Sequence, residues 1–246
     1  MMTAVQWVRS LVFNALMYVA MPVLALVYLP YAIYSRNGAY AAIHAYCAYV
    51  IWSARWIVGL KSEIRGQAPT GEVMVAAKHQ SFVDIILIAH HSPKPRFIMK
   101  SILRFAPILG WFALRIGCVP VDRGKKAKAI EQMRNGVANN PAGPGQLIIY
   151  PQGTRVAPGA YLPYKVGPAV LYTQLDQPCI PAATNVGVFW PRRGVMRKPG
   201  LAVVEFLDPI APGLSQKEFT AQLEQVVETR SDALMREAGF TPPERE

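Results

Sequence analysis

Residues 73–91, Val-Met-Val-Ala-Ala-Lys-His-Gln-Ser-Phe-Val-Asp-Ile-Ile-Leu-Ile-Ala-His-His, join a short apolar run to a longer apolar segment. The run at 73–77 predicts a buried strand, and the segment at 81–91 predicts a helix. Short apolar runs and longer amphipathic segments alternate in this way to the end of the chain. Further strands are predicted at 97–99, 118–121, 146–150, 178–183 and 202–207, and further helices at 102–116, 126–138, 166–175 and 215–238. Strands that alternate with helices of about ten residues indicate an α/β domain.

The composition of the chain excludes several classes of protein. Its 246 residues are 52% hydrophobic and 17% charged, whereas intrinsic disorder requires low hydrophobicity and high charge. Three cysteines lie far apart in the sequence, at Cys47, Cys118 and Cys179. This scattered, odd-numbered set argues against a disulfide scaffold or a structural zinc site, and it fits a reducing compartment.

Basic residues are concentrated in the middle of the chain. The formal net charge is +11, and residues 85–175 contain twelve Lys or Arg against two acidic residues. A local excess of this kind attracts anionic headgroups or phosphorylated substrates. No recognition-helix, base-stacking or zinc-finger pattern accompanies the charge. The sequence therefore favours a membrane surface or a phosphate group over nucleic acid as the partner.

The N-terminal quarter of the chain has the character of a membrane segment. Residues 10–35 form an uncharged run that is long enough for a helix to cross a bilayer. Pro22 is expected to kink or break that helix near its middle. Asn37-Gly38 predicts a turn, and a second uncharged, aromatic-rich run follows at 37–54. We therefore expect a two-helix membrane module at 1–60, spanning the bilayer or lying in one leaflet, and an α/β domain at 61–246. A pair of buried helices in a soluble core is the alternative.

His79 and Asp84 fall where the predicted strand gives way to the helix. A neutral histidine accepts a proton from an alcohol near pH 7, and it needs a partner on its other ring nitrogen to fix the tautomer. Asp84, one turn into the helix, can fold back toward His79 for this purpose. A second interpretation stays open, because Ser81 and Asp84 also fit an N-terminal capping box with no catalytic role.

A second polar segment, Tyr-Pro-Gln-Gly-Thr-Arg at 150–155, follows another predicted strand. Loops at the carboxyl ends of strands bind ligands in open α/β sheets, and arginine is a natural bidentate ligand for phosphate. The segment 117–124, Gly-Cys-Val-Pro-Val-Asp-Arg-Gly, likewise places an arginine after a strand. An ordinary turn with a solvated arginine is the alternative in both places.

Taken together, these segments resemble the 1-acylglycerol-3-phosphate acyltransferase family. Four blocks occur in the family's order: His-x-x-x-x-Asp at 79–84, Asp-Arg at 122–123, the Phe-Pro-Glu-Gly-Thr-Arg block as 150–155, and an apolar-Pro block at 180–183. The sequence departs from the pattern at Lys78, where the family often has Asn, and at Gln152, where it usually has Glu. The resemblance implies a mixed, mostly parallel sheet flanked by helices.

The same resemblance implies a role for each matching residue. His79 is the general base for the free hydroxyl of a lysolipid, and Asp84 orients it, so that the hydroxyl attacks a thioester directly without an acyl-enzyme. Pro181 shapes the acyl-donor side, and Gln152 lines the acceptor pocket. The groups expected to hold the acceptor phosphate are Arg123, Gly153, Thr154, Arg155 and Lys100. No metal or cofactor is expected, and the co-substrate is acyl-CoA or acyl carrier protein.

Three functions remain open at this point. The first is acylation of 1-acylglycerol-3-phosphate to phosphatidic acid for phospholipid synthesis, at the cytoplasmic face of the inner membrane. The second is acylation of another lysolipid, such as a lyso-ornithine lipid, which the uncharged Gln152 keeps open. The third is a non-catalytic peripheral protein that binds acidic lipids, and the presence of both His79 and Asp84 argues against it.

Overall fold

A mixed sheet organises the part of the chain that the computed structural model describes, residues 2–122 and 126–243. Within it, seven strands follow the order β1-β7-β6-β2-β5-β3-β4, and all neighbours are parallel except β6 and β7. The strands are β1 (Leu60–Arg65), β2 (Val73–Ala77), β3 (Pro95–Lys100), β4 (Val119–Val121), β5 (Gln146–Ile149), β6 (Cys179–Thr184) and β7 (Gly200–Phe206). The predicted α/β class and the mostly parallel sheet are confirmed.

The helices cover both faces of this sheet. The α-helices are α1 (Met2–Tyr34), α2 (Arg36–Ser53), α3 (Val83–His91), α4 (Leu109–Arg115), α5 (Lys126–Ala138), α6 (Val166–Leu175) and α7 (Gln216–Glu237). Short turns of other helical types lie at Ala54–Val58, Ser101–Phe105 and Val186–Val188. The predicted start of α7 is confirmed in detail, because Ser215 and Glu218 form a reciprocal capping box.

The central strands are buried on both faces, which explains their uninterrupted apolar sequences. All residues of β2 and β5 are buried. Alternate side chains of β2 point to opposite faces: Val75 packs in a core with α2 and α3, and Met74 packs in a second core with α6 and α7. Elements on both faces can therefore support the loops that follow β2 and β5.

The N-terminal helices differ from the expectation in two respects. A break at Pro22 is wrong, because α1 continues through both Pro22 and Pro30, whereas a kink at Pro22 stays a prediction. A proline costs one backbone hydrogen bond and a local clash, and packing along the rest of a long helix can compensate for that cost. The predicted turn at Asn37-Gly38 is also displaced: the chain turns at Ser35, whose hydroxyl caps α2. Gly38 instead allows the two helices to touch, since a β-carbon there would lie 2.4 Å from the carbonyl carbon of Tyr31.

These two helices share a core with the sheet. Phe13 of α1 and Val50 of α2 are fully buried in the same cluster as Val75 and Ile148 of the central strands. Helices α1 and α2 therefore pack directly against the sheet. The division of the chain into two domains at residue 60 stays a prediction.

Two further differences have local causes. The strand β1 was not predicted, because its sequence Leu-Lys-Ser-Glu-Ile-Arg is half-buried and polar, as suits an edge strand. The single helix predicted at 102–116 is divided, since Pro107 interrupts it and α4 begins only at Leu109. Gly110 permits the close approach of α4 to the turn at Ser101–Phe105, because a β-carbon at position 110 would lie 2.4 Å from the carbonyl oxygen of Arg104.

Candidate active site

The two predicted motif loops meet at one edge of the sheet. Because β2 and β5 are adjacent and parallel, the loops after them leave from the same edge. The backbone N–H of Val156 donates to the carbonyl oxygen of His79 at 2.8 Å, which joins the two loops directly. Residues about 70 positions apart in the sequence therefore form one site.

His79 and Asp84 form a buried pair at this edge. The Nδ1 atom of His79 lies 2.8 Å from Oδ1 of Asp84, and the carboxylate is fully buried. The other carboxylate oxygen, Oδ2, accepts the backbone N–H groups of Gln80 and Ser81, both at 2.8 Å. With one oxygen held by the backbone, the other is fixed toward the imidazole. This arrangement orients the ring so that Nε2 is the nitrogen left for a proton acceptor.

The alternative interpretation as a capping box receives partial support. Asp84 lies in the first turn of α3 and accepts the N–H of Ser81, which is one half of that motif. The same carboxylate also contacts His79, so helix capping and histidine orientation are performed by different oxygens of one side chain.

An aromatic stack supports the imidazole from one side. The rings of His79 and Tyr150 are parallel to within 18°, with 3.9 Å between centroids, and Tyr150 stacks in turn on Phe97 at 6.4 Å. Burial raises the pKa of Tyr150 well above its ordinary value, and the charge of Asp84 acts in the same direction. Tyr150 is therefore a neutral, rigid platform for the histidine.

The loop after β5, residues 150–165, combines a glycine in the left-handed backbone conformation with two cations. Gly153 has a φ of +68°, a conformation that favours glycine, and a β-carbon there would lie 2.8 Å from Nζ of Lys165. Lys165 is therefore part of this site, although no local pattern in the sequence pointed to it. Within residues 2–122 and 126–243, no carboxylate pairs with Arg155 or Lys165. Both are half-buried or exposed cations beside Thr154, available to an anion.

The remaining predicted site residues lie at different places. Lys100 is exposed at the carboxyl end of β3, on the same edge of the sheet as His79. Pro181 lies inside β6, in register with Ala76, and its carbonyl accepts the N–H of Leu207. Arg123 falls outside the described residues. Asp122, just before it, has a lowered pKa because Ser101 and Gln132 hydrogen-bond to its carboxylate.

Gln152 lies beneath the loop. Its side chain is 1% exposed, and its Nε2 atom donates to the carbonyl of Leu162 at 3.2 Å and to Oε1 of Glu228 at 3.4 Å. Glu228, on α7, also accepts two hydrogen bonds of 2.6 Å from the ammonium of Lys78. The two positions that depart from the family pattern thus contact the same carboxylate. Glu228 was not identified from the sequence, because it lies in an ordinary amphipathic helix.

Two of the cavities in the described part of the chain are lined by rings of the aromatic stack, one by Phe97 and the other by Tyr150. The first, of about 780 Å³ including its open mouth, is almost entirely apolar and lies among α1, α2, α3, α4 and the edge of the sheet, lined by Met21, Leu24, Ile43, Cys47, Phe82 and Phe97. The second, of about 1080 Å³ including its open mouth, lies between α5 and α6 and is lined by Ile130, Met133, Tyr150, Gly153, Lys165 and Pro168. The wall of the apolar cavity includes Phe82, which lies between His79 and Asp84 in the chain, and such a cavity suits a substrate with a long hydrocarbon chain.

Neither a metal-binding cluster nor an exposed thiol is found among the described residues. Among the described residues, no cluster of three or more His, Cys, Asp or Glu has the geometry of a metal site. The cysteines are buried, and burial raises the pKa of the Cys118 thiol to about 12. Such a thiol is protonated near neutral pH and packs as an apolar side chain.

Comparisons with known proteins identify a family and a fold. A family model described as Acyltransferase matches residues 60–185. The chain is 25% identical to a 1-acyl-sn-glycerol-3-phosphate acyltransferase of Pseudomonas aeruginosa over 64% of this chain and 62% of that protein. It is 27% identical to a protein of the same name from Saccharomyces cerevisiae, over 81% and 67%. The fold matches the crystal structure of the 1-acyl-sn-glycerophosphate acyltransferase PlsC of Thermotoga maritima, with a TM-score of 0.77, 20% identity and coverage of 93% and 97%.

Proposed function

The chain belongs to the acyltransferase family, and on that basis we propose that it transfers a fatty acyl group from a thioester to the free hydroxyl of 1-acylglycerol-3-phosphate. The product is phosphatidic acid, a precursor of phospholipids. The buried pair of His79 and Asp84, 2.8 Å apart, is the observation that carries the proposal. The names of the Pseudomonas and yeast relatives support the same choice of acceptor.

In the proposed reaction, His79 is the general base. Its Nε2 atom takes the proton of the acceptor hydroxyl while Nδ1–H donates to Asp84, which stabilises the imidazolium. The hydroxyl oxygen attacks the thioester carbonyl, the new C–O ester bond forms, and the C–S bond breaks. The departing thiolate recovers the proton from His79, so the enzyme returns to its starting state without an acyl-enzyme, and neither a metal nor a cofactor takes part.

The acceptor phosphate is assigned to the loop after β5. Thr154 offers its hydroxyl, while Arg155 and Lys165 supply positive charge that no described carboxylate neutralises. Gly153 shapes the turn between them, and its own N–H donates to the carbonyl oxygen of Tyr150 at 2.8 Å. Arg123 and Lys100 remain candidates for the same phosphate. An acceptor that lacks a phosphate, such as a lyso-ornithine lipid, would leave these cations unmatched, so phosphorylated acceptors are favoured.

The apolar cavity is assigned to a hydrocarbon chain. Phe97 lies at its wall and stacks on Tyr150, which in turn stacks on His79, so one aromatic ring separates the wall of the cavity from the proposed base. An acyl chain in this cavity would bury its methylene groups at about 0.8 kcal/mol each and bring its head to the histidine. The donor carrier is proposed to be coenzyme A or acyl carrier protein.

We place the protein at a membrane surface through α1. This helix is long and apolar enough to cross a bilayer by length and composition, and it exposes Val19, Leu26 and Val27. Near its start, Gln6 donates to the carbonyl of Arg197 at 2.8 Å, and at its other end Ala32 accepts a hydrogen bond of 3.1 Å from Arg115. A helix bonded to the same domain near both ends lies along that domain, which favours embedding in one leaflet over a crossing. We propose that this leaflet is the cytoplasmic one of the inner membrane, as the family resemblance implies.

An acyl-transfer assay with a panel of acceptors tests the proposal. Purified protein is supplied with acyl-CoA or acyl carrier protein and with lysophosphatidic acid, other lysophospholipids or lyso-ornithine lipid in mixed micelles. We expect phosphatidic acid as the main product and a loss of about 10²–10⁴-fold in rate with His79→Ala. Transfer mainly to an acceptor without phosphate would contradict the choice of substrate. Lipid binding with no transfer to any acceptor would indicate the non-catalytic alternative.

A further inference from the structure

The buried carboxylate of Glu228 accepts hydrogen bonds from three side chains that belong to three different segments of the site. Lys78 donates to it at 2.6 Å, Tyr164 at 3.0 Å and Gln152 at 3.4 Å, all reaching the same oxygen, Oε1. Glu228 lies in α7 and is 4% exposed, and Lys78 is 1% exposed. This carboxylate therefore lies beneath the site and is shielded from solvent.

Each donor is the chain neighbour of a residue placed in the active site. Lys78 precedes His79, Tyr164 precedes Lys165, and Gln152 precedes Gly153. Successive side chains of an extended segment point to opposite faces, so Lys78 can reach α7 on one face while His79 contacts Asp84 on the other. A shift of Glu228 would move all three segments together.

We propose that Glu228 is a positioning residue. Through these three donors it fixes the positions of His79, Gly153 and Lys165 relative to one another. The inference rests on the proposed acyl-transfer function and assigns α7 a part in it. A buried ammonium needs a paired charge, and Glu228 supplies it. A glutamate at position 152 would place a second carboxylate against the same oxygen, which explains why a neutral amide is found there.

This arrangement predicts that the carboxylate can be exchanged between position 228 on α7 and position 152 in the loop after β5 without loss of its positioning role. Glu228→Gln leaves Lys78 buried beside an amide, and Gln152→Glu adds a like charge next to Glu228. The double variant Gln152→Glu/Glu228→Gln restores one carboxylate and one amide in the same space. We expect each single variant to lower kcat about tenfold or more and to raise KM for lysophosphatidic acid, while KM for the thioester stays within about twofold. The double variant is expected to recover to within about threefold of the parent.

Matched controls separate positioning from general stability. Glu224, one turn earlier on α7, accepts the hydroxyl of Tyr161 at 2.5 Å at an exposed site, so Glu224→Gln is expected to leave kcat and KM unchanged. If Glu228→Gln does not fold, Lys78→Met/Glu228→Gln removes both buried charges. That variant is expected to fold and still show the lowered kcat and raised acceptor KM. A double swap no better than the worse single variant, or single variants that change only the melting temperature, would overturn the proposal.

A readout without substrate keeps this inference separate from the proposed reaction. Diethyl pyrocarbonate modifies exposed imidazoles, and His79 is only 8% exposed. At fixed pH, peptide mass spectrometry gives the modification rate of His79 relative to His44 in the full chain. We expect Glu228→Gln to raise this ratio several-fold and the double swap to restore it. An unchanged ratio would overturn the positioning role, whereas absence of any acyl transfer by the parent protein would overturn the proposed function alone.

Discussion

The imidazole of His79 lies flat on the phenol ring of Tyr150, with 3.9 Å between the ring centroids and 18° between their planes. His79 follows β2 and Tyr150 follows β5, so the stack exists because these strands are neighbours in the sheet. Asp84 fixes the imidazole in its plane, and Tyr150 limits its movement out of that plane. The histidine is thus held from two directions before any substrate arrives.

The stack predicts different outcomes for two substitutions of Tyr150. Tyr150→Phe keeps the ring and is expected to retain kcat within about threefold, because only the hydroxyl is lost. Tyr150→Ala removes the platform and is expected to lower kcat about 10²-fold and the free energy of unfolding by about 3–5 kcal/mol. Steady-state kinetics and denaturant unfolding measure both effects. A Tyr150→Phe variant as impaired as Tyr150→Ala would assign the role to the hydroxyl instead of the ring.

A second prediction concerns the tautomer of His79. In Asp84→Asn, the amide oxygen takes the place of Oδ2 and accepts the N–H groups of Gln80 and Ser81. The amide nitrogen then faces Nδ1 and donates to it, which forces the ring proton onto Nε2, so the ring can no longer accept the substrate proton. We expect kcat to fall about 10²–10⁴-fold with KM for the acceptor nearly unchanged. Near-parental turnover by this variant would show that Asp84 acts only as a helix cap.

Arg155 and Lys165, the cations assigned to the acceptor phosphate, predict a selective effect on the KM for the acceptor. Arg155→Ala and Lys165→Ala are each expected to raise KM for lysophosphatidic acid about tenfold, through loss of a charge-assisted hydrogen bond, with little change in KM for the thioester. Arg155→Lys should recover only in part, because an ammonium lacks the bidentate fork. Arg193→Ala, which removes an exposed arginine of another loop, is the control. Equal increases for both substrates would place these cations at the donor or in the fold.

The exposed face of α1 predicts how the protein associates with membranes. Val19→Glu/Leu26→Glu puts two charges on that face, where each acidic group costs about 3 kcal/mol in a membrane-embedded helix. We expect flotation with anionic vesicles to fall at least about tenfold, while transfer to a dispersed short-chain acceptor persists. Ala221→Glu, on the exposed side of α7, adds a charge elsewhere and should float normally. Unchanged flotation of the double variant would remove α1 from the membrane contact.

Local sequence patterns were sufficient to predict most elements of the fold. The apolar runs of β2 and β5 and the capping box of α7 are short-range features, and the structure contains them with nearly the predicted bounds. The contact between His79 and Asp84 could also be predicted, because their five-residue separation is spanned by a single turn of structure. In these cases the physical cause lies within a few residues of the chain.

Contacts between residues far apart in the sequence decided the remaining features, which are the side chains around Glu228 and the course of α1. Lys78 and Glu228 are 150 positions apart, and Gln152 is 76 positions from Glu228, so only the strand order and the packing of α7 bring them together. The continuation of α1 through Pro22 likewise depends on its neighbours. A buried charge requires a partner, but the sequence does not specify which of several carboxylates will supply it, because that choice is made by the tertiary fold.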